Sequence, residues 1–348
     1  MACQFLAVVT AINPVTTTNS NYLSIENQKL FIASGSDGKF TPSTQFFSLD
    51  LSVPWNSDAP AWKSLAQHPN ATTPYALNKE NTKIYSFGNS MFQYDIQTDT
   101  WTSDGLENIF QEKRLFVRGA VTDTDSGLIY GAGDYKNFNS TWQMTEFNPI
   151  DNTYNKINVT GRPTRDSIFS LAYSSPAKKI YMYEWFTGDN ITALLTFGVG
   201  SQKWADVDTT GDVPPRLHDP CFTSAYGGKK LILAGGIAVA PTGYKSVDGI
   251  YMFDVATAIW TKLPNLPKVY TGASCAASGD SFIIWGGRTA EGKIIEGGPS
   301  VLDMRKNEWG TSYTPSSPTD SPNSSGTRAS VVVAILAIVT VVSSVMVL

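Results

Sequence analysis

Leu231-Ile-Leu-Ala-Gly-Gly236, followed after a loop by Tyr251-Met-Phe-Asp-Val-Ala-Thr-Ala-Ile-Trp260, decides how this chain reads. An apolar run ending in two glycines predicts a buried strand that stops at a bend, because glycine enters left-handed backbone without steric cost. The second run, aromatic and carrying Asp254, predicts a further strand, and the tryptophan six positions beyond Asp254 opens another. The same order returns at Phe282-Ile-Ile-Trp-Gly-Gly287, then Val301-Leu-Asp-Met304 and Trp309. A pattern met twice calls for a search along the whole chain.

Four weaker copies precede these two. The first runs from Leu23 to Gly35, with Phe46-Phe-Ser-Leu-Asp50 and Trp62; the second has Lys83-Ile-Tyr-Ser-Phe-Gly88, Phe92-Gln-Tyr-Asp95 and Trp101. The third has Leu128-Ile-Tyr-Gly-Ala-Gly133, Met144-Thr-Glu-Phe147 and Tyr154 in place of tryptophan. The fourth has Lys179-Ile-Tyr-Met-Tyr-Glu-Trp185, Leu194-Leu-Thr-Phe197 and Trp204. The residues that end the second strands, Gly35, Gly88, Gly133, Trp185, Gly236 and Gly287, lie 53, 45, 52, 51 and 51 positions apart. A period near 50 with four short strands per unit predicts an all-β fold, a six-bladed kelch-type β-propeller over residues 15–313. The glycine pairs are expected where neighbouring backbone crowds the strand ends, and the aromatic residues in the wedge between blades. Each unit owns four strands, so closure of the ring is left open.

Gln45-Phe-Phe-Ser-Leu-Asp-Leu51 with Trp55, Pro60-Ala-Trp62-Lys-Ser-Leu65, and Phe282 to Gly287 resemble fungal surface kelch-repeat proteins related to the central domain of galactose oxidase. The resemblance spans residues 15–348 and implies a secreted propeller, a stalk and a C-terminal span. Galactose oxidase chemistry needs copper held by two histidines and two tyrosines, one tyrosine being cross-linked to cysteine. The only histidines here, His68 and His218, precede the second and fifth units, on opposite sides of a six-membered ring. Both are expected as exposed loop residues, and no copper-radical site, metal or other cofactor is expected.

Charged residues make up 16% of the chain, the net charge is −4, and no Lys/Arg-rich stretch occurs, which argues against a nucleic-acid partner. Residues 329–348 carry no charge and at 1.5 Å per residue reach about 30 Å as a helix, enough to cross a bilayer. A transmembrane helix is therefore expected there, with a GPI signal as the alternative and residues 314–328 as a Ser/Pro-rich stalk. Residues 1–14 read as a signal or an N-terminal strand. N-glycosylation sequons stand at Asn70, Asn139, Asn158, Asn190 and Asn323, a number close to what the composition alone produces.

Asp123-Thr-Asp-Ser-Gly127 has the opening spacing of a calcium loop but aligns with the first hairpin turn of the other units, which favours a turn. Cys221 and Cys275 fall in or near the first strands of adjacent units and are candidates for a disulfide, against two buried thiols. Basic residues precede several first strands, and the connections from fourth to first strand share a face with those from second to third. Arg165, Arg216, Tyr244 and Arg288 are the candidate ligand face; capping of neighbouring carbonyls is the alternative role for the arginines. With no catalytic constellation to assemble, the expected function is binding of a protein or glycan ligand at a cell surface. A galactose-oxidase-like or other carbohydrate-active enzyme and an intracellular kelch adaptor anchored by its tail are the alternatives.

Overall fold

Asp or Asn at the end of a third strand recurs in this chain, and the structure gives the reason. The Asp95 carboxylate accepts the backbone N–H groups of Gln97 and Thr98, Asp254 those of Ala256 and Thr257, and Asp303 those of Arg305 and Lys306. These side chains stand in for backbone acceptors and fold the chain back on itself. In five of the six units the residue before the fourth strand, Asp99, Asn152, Gln202, Ala258 or Asn307, then takes a left-handed conformation.

A computed structural model describes residues 13–316 except 27, 40, 70–73, 89, 104–114, 136–142, 158, 160–167, 186–193 and 241–242. The described residues form six antiparallel sheets, each with four strands paired in chain order. Sheet I holds Asn21–Ile25, Lys29–Ala33, Phe46–Asp50 and Trp62–Ser64; sheet II holds Tyr75–Leu77, Lys83–Phe87, Met91–Asp95 and Thr100–Thr102. Sheet III holds Leu115–Thr122, Ile129–Tyr135, Gln143–Asn148 and Thr153–Ile157; sheet IV holds Ile168–Ser174, Lys179–Trp185, Leu194–Gly198 and Lys203–Asp206. Sheet V holds Cys221–Ala225, Lys230–Ala234, Ile250–Asp254 and Ile259–Leu263, with Thr210–Gly211 added in parallel at its outer edge. Sheet VI holds Ser274–Ser278, Ser281–Trp285, Ser300–Asp303 and Glu308–Gly310.

The first strand of each sheet packs against the first strand of the next, and that of sheet VI returns to that of sheet I. The apolar clusters lie between sheets. Phe31 and Phe46 of sheet I meet Tyr94 of sheet II; Tyr85 meets Phe147; Tyr130 meets Phe197 and Trp204; Tyr181 meets Phe253 and Trp260. Ile232 and Ile250 meet Phe282 across sheets V and VI, and Trp285 of sheet VI meets Trp62 of sheet I at 5.8 Å between ring centroids. Burying one such side chain contributes roughly 1.5–3 kcal/mol. The expected tryptophan wedge is thus seen at Trp62, Trp204 and Trp260, all buried, and Tyr154 takes its place in sheet III.

Two short contacts, neither with a periodic signature, close the seam between sheets VI and I. The entering chain donates from Asn19 N to Gly272 O at 2.7 Å and accepts Gly287 N on Thr17 O at 2.9 Å. The departing strand Ser312–Tyr313 pairs with Trp55–Asn56, which lies between the third and fourth strands of sheet I. Among the described residues no helix is long and apolar enough to cross a membrane. The expected span at 329–348, the stalk beyond Ser316 and residues 1–12 lie outside the described residues.

Candidate functional site

The first strands enclose an axial cavity of about 800 Å³. Its wall carries hydroxyl and amide groups from Tyr22, Tyr75, Asn78, Thr122, Ser170 and Thr223, and among the described lining residues there is no Lys, Arg or His. At one end the chain enters each first strand, and there the connections named above converge. Leu217–His218, just before sheet V, pairs with Ile237–Ala240, just after its second strand. Thr271 and Arg288 form the corresponding bridge in sheet VI. The two classes of connection therefore share this face, as the strand reversals require.

The glycine pairs shape the mouth. Gly235 and Gly236 have φ of 65° and 92°, and a Cβ on them would lie 2.4 Å from Tyr270 O and 2.8 Å from His218 O. Gly286 and Gly287 repeat the arrangement against Thr17 O and Thr271 O. Backbone entering the next sheet thus blocks a side chain at Gly235 and Gly286, and backbone entering their own sheet blocks one at Gly236 and Gly287.

Asp219 stands at this mouth and lines the cavity. Its φ is 50°, its carbonyl accepts Gly272 N at 3.0 Å, and its Oδ2 lies 3.2 Å from His218 Nδ1. Burial pushes its carboxyl up from the ordinary carboxylate range, against the pull of His218 and of the Arg288 guanidinium. Tyr183 of sheet IV fixes the preceding loop: its hydroxyl donates to Pro215 O at 2.9 Å and accepts Leu217 N at 3.2 Å. Burial pushes the Tyr183 hydroxyl well up, and Arg216 beside it pulls the other way.

Cys221 and Cys275 are joined in a disulfide, Cα atoms 5.9 Å apart, between the first strands of sheets V and VI. Tyr22 reaches from sheet I to sheet V, where its hydroxyl donates to Phe222 O at 2.8 Å and lies 3.2 Å from Cys221 Sγ. Tyr22 is partly buried, and desolvation of its hydroxyl drives it far above the ordinary range.

A solved protein, YjhT, a kelch-type propeller, is similar to this chain: TM-score 0.62 and 15% identity, over 85% of this chain and 97% of YjhT. The chain is a β-propeller. Neither a family model nor a curated protein matches its sequence.

The propeller places the candidate residues unequally. Arg288 comes beside Asp219 from sheet VI, and Arg216 flanks the same loop on the sheet IV side. Tyr244 sits on the hairpin Ile237–Ala240/Gly243–Ser246, 68% exposed, on a stretch that sequence reasoning leaves as a loop. Arg165 lies outside the described residues, as do all five sequon asparagines.

Both histidines depart from expectation. His68 is 2% exposed, with Nε2 2.8 Å from Ser86 Oγ and its ring edge-on to Trp101 at 4.3 Å and to Tyr75 at 5.2 Å. A connection between sheets crosses the wedge there, so aromatic residues close over a loop position. His218 is half-buried at the mouth, drawn in by its strand pairing with Ile237. His68 belongs to the boundary of sheets I and II and His218 to the mouth, and the structure does not bring them together. Asp123 forms a turn, its carboxylate accepting Asp125 N at 2.8 Å and Ser126 Oγ at 2.7 Å. Among the described residues no group of three or more His, Cys, Asp or Glu is placed to hold a metal. Asp219 is the site residue that the sequence pattern missed, and the run Arg216-Leu-His-Asp-Pro220 before a first strand is the signal that marks it.

Proposed function

We propose that this chain is a six-bladed kelch-type propeller that binds a protein or glycan ligand through the face carrying Arg216, Asp219, Tyr244 and Arg288. Arg165 belongs to the same set by its place before the first strand of sheet IV. The observation that carries the reading is Asp219, held in left-handed backbone between His218 and Arg288 where the axial cavity opens. Partly desolvated carboxylates with a cationic neighbour concentrate at ligand sites. The cavity wall favours a glycan over an anionic ligand, because its described lining residues offer hydroxyls, amides and the carboxylates of Glu26 and Asp219 and no Lys, Arg or His. Residues 329–348 would hold the propeller at a cell surface as a single-pass span.

The test is a glycan and protein array probed with the full chain and with Arg216→Ala/Arg288→Ala and Asp219→Asn variants. Binding lost in the variants supports the face; a ligand bound equally by all three removes it. Glycan mass on Asn139 or Asn190 would exclude the intracellular adaptor. The His218–Asp219 contact supports the carbohydrate-active alternative, since an imidazole against a carboxylate can accept a proton. Turnover of an arrayed glycan, lost in His218→Ala, would favour it.

A further inference from the structure

The mouth is held in backbone that side chains disfavour. Asp219 has φ of 50° despite its side chain, and the residues opposite, Gly272, Gly286 and Gly287, have φ of 61°, 70° and 82°. Aspartate enters left-handed backbone more readily than most side chains, and three restraints select that conformation at Asp219. Gly272 N donates to the Asp219 carbonyl; Gly236 packs against His218 O and Pro220 with no room for a Cβ; and Cys221, two residues on, is bonded to Cys275. The first two are non-covalent. The third ties the strand that follows Asp219 to the strand that follows Gly272, and the Thr271–Arg288 bridge lies just before Gly272.

We infer that the Cys221–Cys275 disulfide is a redox-sensitive clasp on the mouth, which when oxidised holds Asp219 in its left-handed conformation facing Arg288 and when reduced releases it. Its consequence for binding rests on the mouth being the ligand site. Cys221 is 3% and Cys275 2% exposed, with the Tyr22 hydroxyl 3.2 Å from Cys221 Sγ, so a small dithiol in the axial cavity reaches the sulfurs when the first strands open locally. In that reaction the dithiol passes two electrons and two protons to the Sγ–Sγ bond. Cys221 and Cys275 become thiols and the reductant leaves as its own cyclic disulfide. Tyr22 stays hydrogen-bonded to Phe222 O, so sheets I and V remain joined while the tie between V and VI is cut.

The test is amide hydrogen exchange on the full chain before and after dithiothreitol, with alkylation to confirm that both thiols have formed. Exchange at Gly272, whose N–H meets the Asp219 carbonyl, is expected to accelerate about tenfold, with amides in sheets II and III unchanged. Unchanged protection at Gly272 with both thiols alkylated overturns the clasp, and so does equal acceleration in every sheet. A Cys221→Ser/Cys275→Ser variant should match the reduced protein without reductant; if it does not fold, the reduced native protein decides alone. No ligand enters this measurement. A chain that fails the arrays yet shows the change at Gly272 keeps its clasp and loses the binding role.

Discussion

Tyr313 stacks on Trp55, ring centroids 5.1 Å apart and planes 17° from parallel, and its hydroxyl donates to Leu51 O at 3.0 Å. One residue near the end of the propeller thereby fastens to one near its start. Tyr313→Ala is expected to cost about 3–5 kcal/mol and Tyr313→Phe about 1–2 kcal/mol, the first losing packing and the second only the hydroxyl's contacts with Leu51 O and Ser278 Oγ. Urea unfolding of both variants checks this, and equal costs would show that the stack contributes nothing.

Gly286 and Gly227 separate two costs. Both are left-handed, at 70° and 64°, but a Cβ on Gly286 would lie 2.5 Å from Thr17 O, whereas nothing stands within 4 Å of one on Gly227. Gly227→Ala is expected to cost about 1 kcal/mol in backbone strain alone, and Gly286→Ala at least about 2 kcal/mol because the entering chain must move. Thermal unfolding that ranks the two equally would refute the close approach.

Asp254 carries an acid-sensitive share of stability. The hydrogen bond from Lys230, despite partial desolvation, lowers its pKa from 3.8 to about 2, helped by Thr257 N. A depressed carboxyl stabilises the fold above its unfolded pKa, and that contribution fades as pH falls from about 4 to about 2. Discounted for solvent at a part-exposed pair, it is worth about 1–2 kcal/mol. Asp254→Asn should lower stability at neutral pH and flatten this part of the acid limb; an unchanged slope would count against it.

Asp219 has the opposite sign. Its folded carboxyl is raised by burial, so the folded state holds its proton to higher pH than the unfolded chain. Stability therefore falls as pH climbs from the ordinary carboxylate range through the raised value. Asp219→Asn should remove that decline, measured as the difference between wild-type and variant stability across a pH series. A difference that does not vary with pH would mean that the carboxyl titrates normally.

The repeat was legible because it is local. A strand, a glycine end, an Asp-capped hairpin and a tryptophan fall within one period, so Lys230 to Trp260 could be read without the rest of the chain. The seam was not legible. Ser312–Tyr313 and Trp55–Asn56 are two-residue strands more than 250 positions apart, too short for alternation and too distant for turn chemistry. His68 was misread for the same reason, since Tyr75, Ser86 and Trp101 enclose it from different parts of sheet II. Arg216 is singled out in the sequence by its place before a first strand and Arg288 by its place after a second strand, and the structure puts these two connections on one face. Asp219 is flagged in the sequence only by the charged run Arg216-Leu-His-Asp-Pro220, and its left-handed backbone is visible only in the structure.

The departing chain has a mechanical consequence. Beyond Tyr313 it runs to Ser316, whose Oγ accepts Asp280 N at 3.0 Å at the first hairpin of sheet VI, the end of the sheet away from the mouth. Tension applied past Ser316 reaches the ring through Tyr313, which grips Trp55 of sheet I and lies beside Ser278 of sheet VI. A tether at this end would load the two flanking sheets as one body and would not peel the last sheet from the ring.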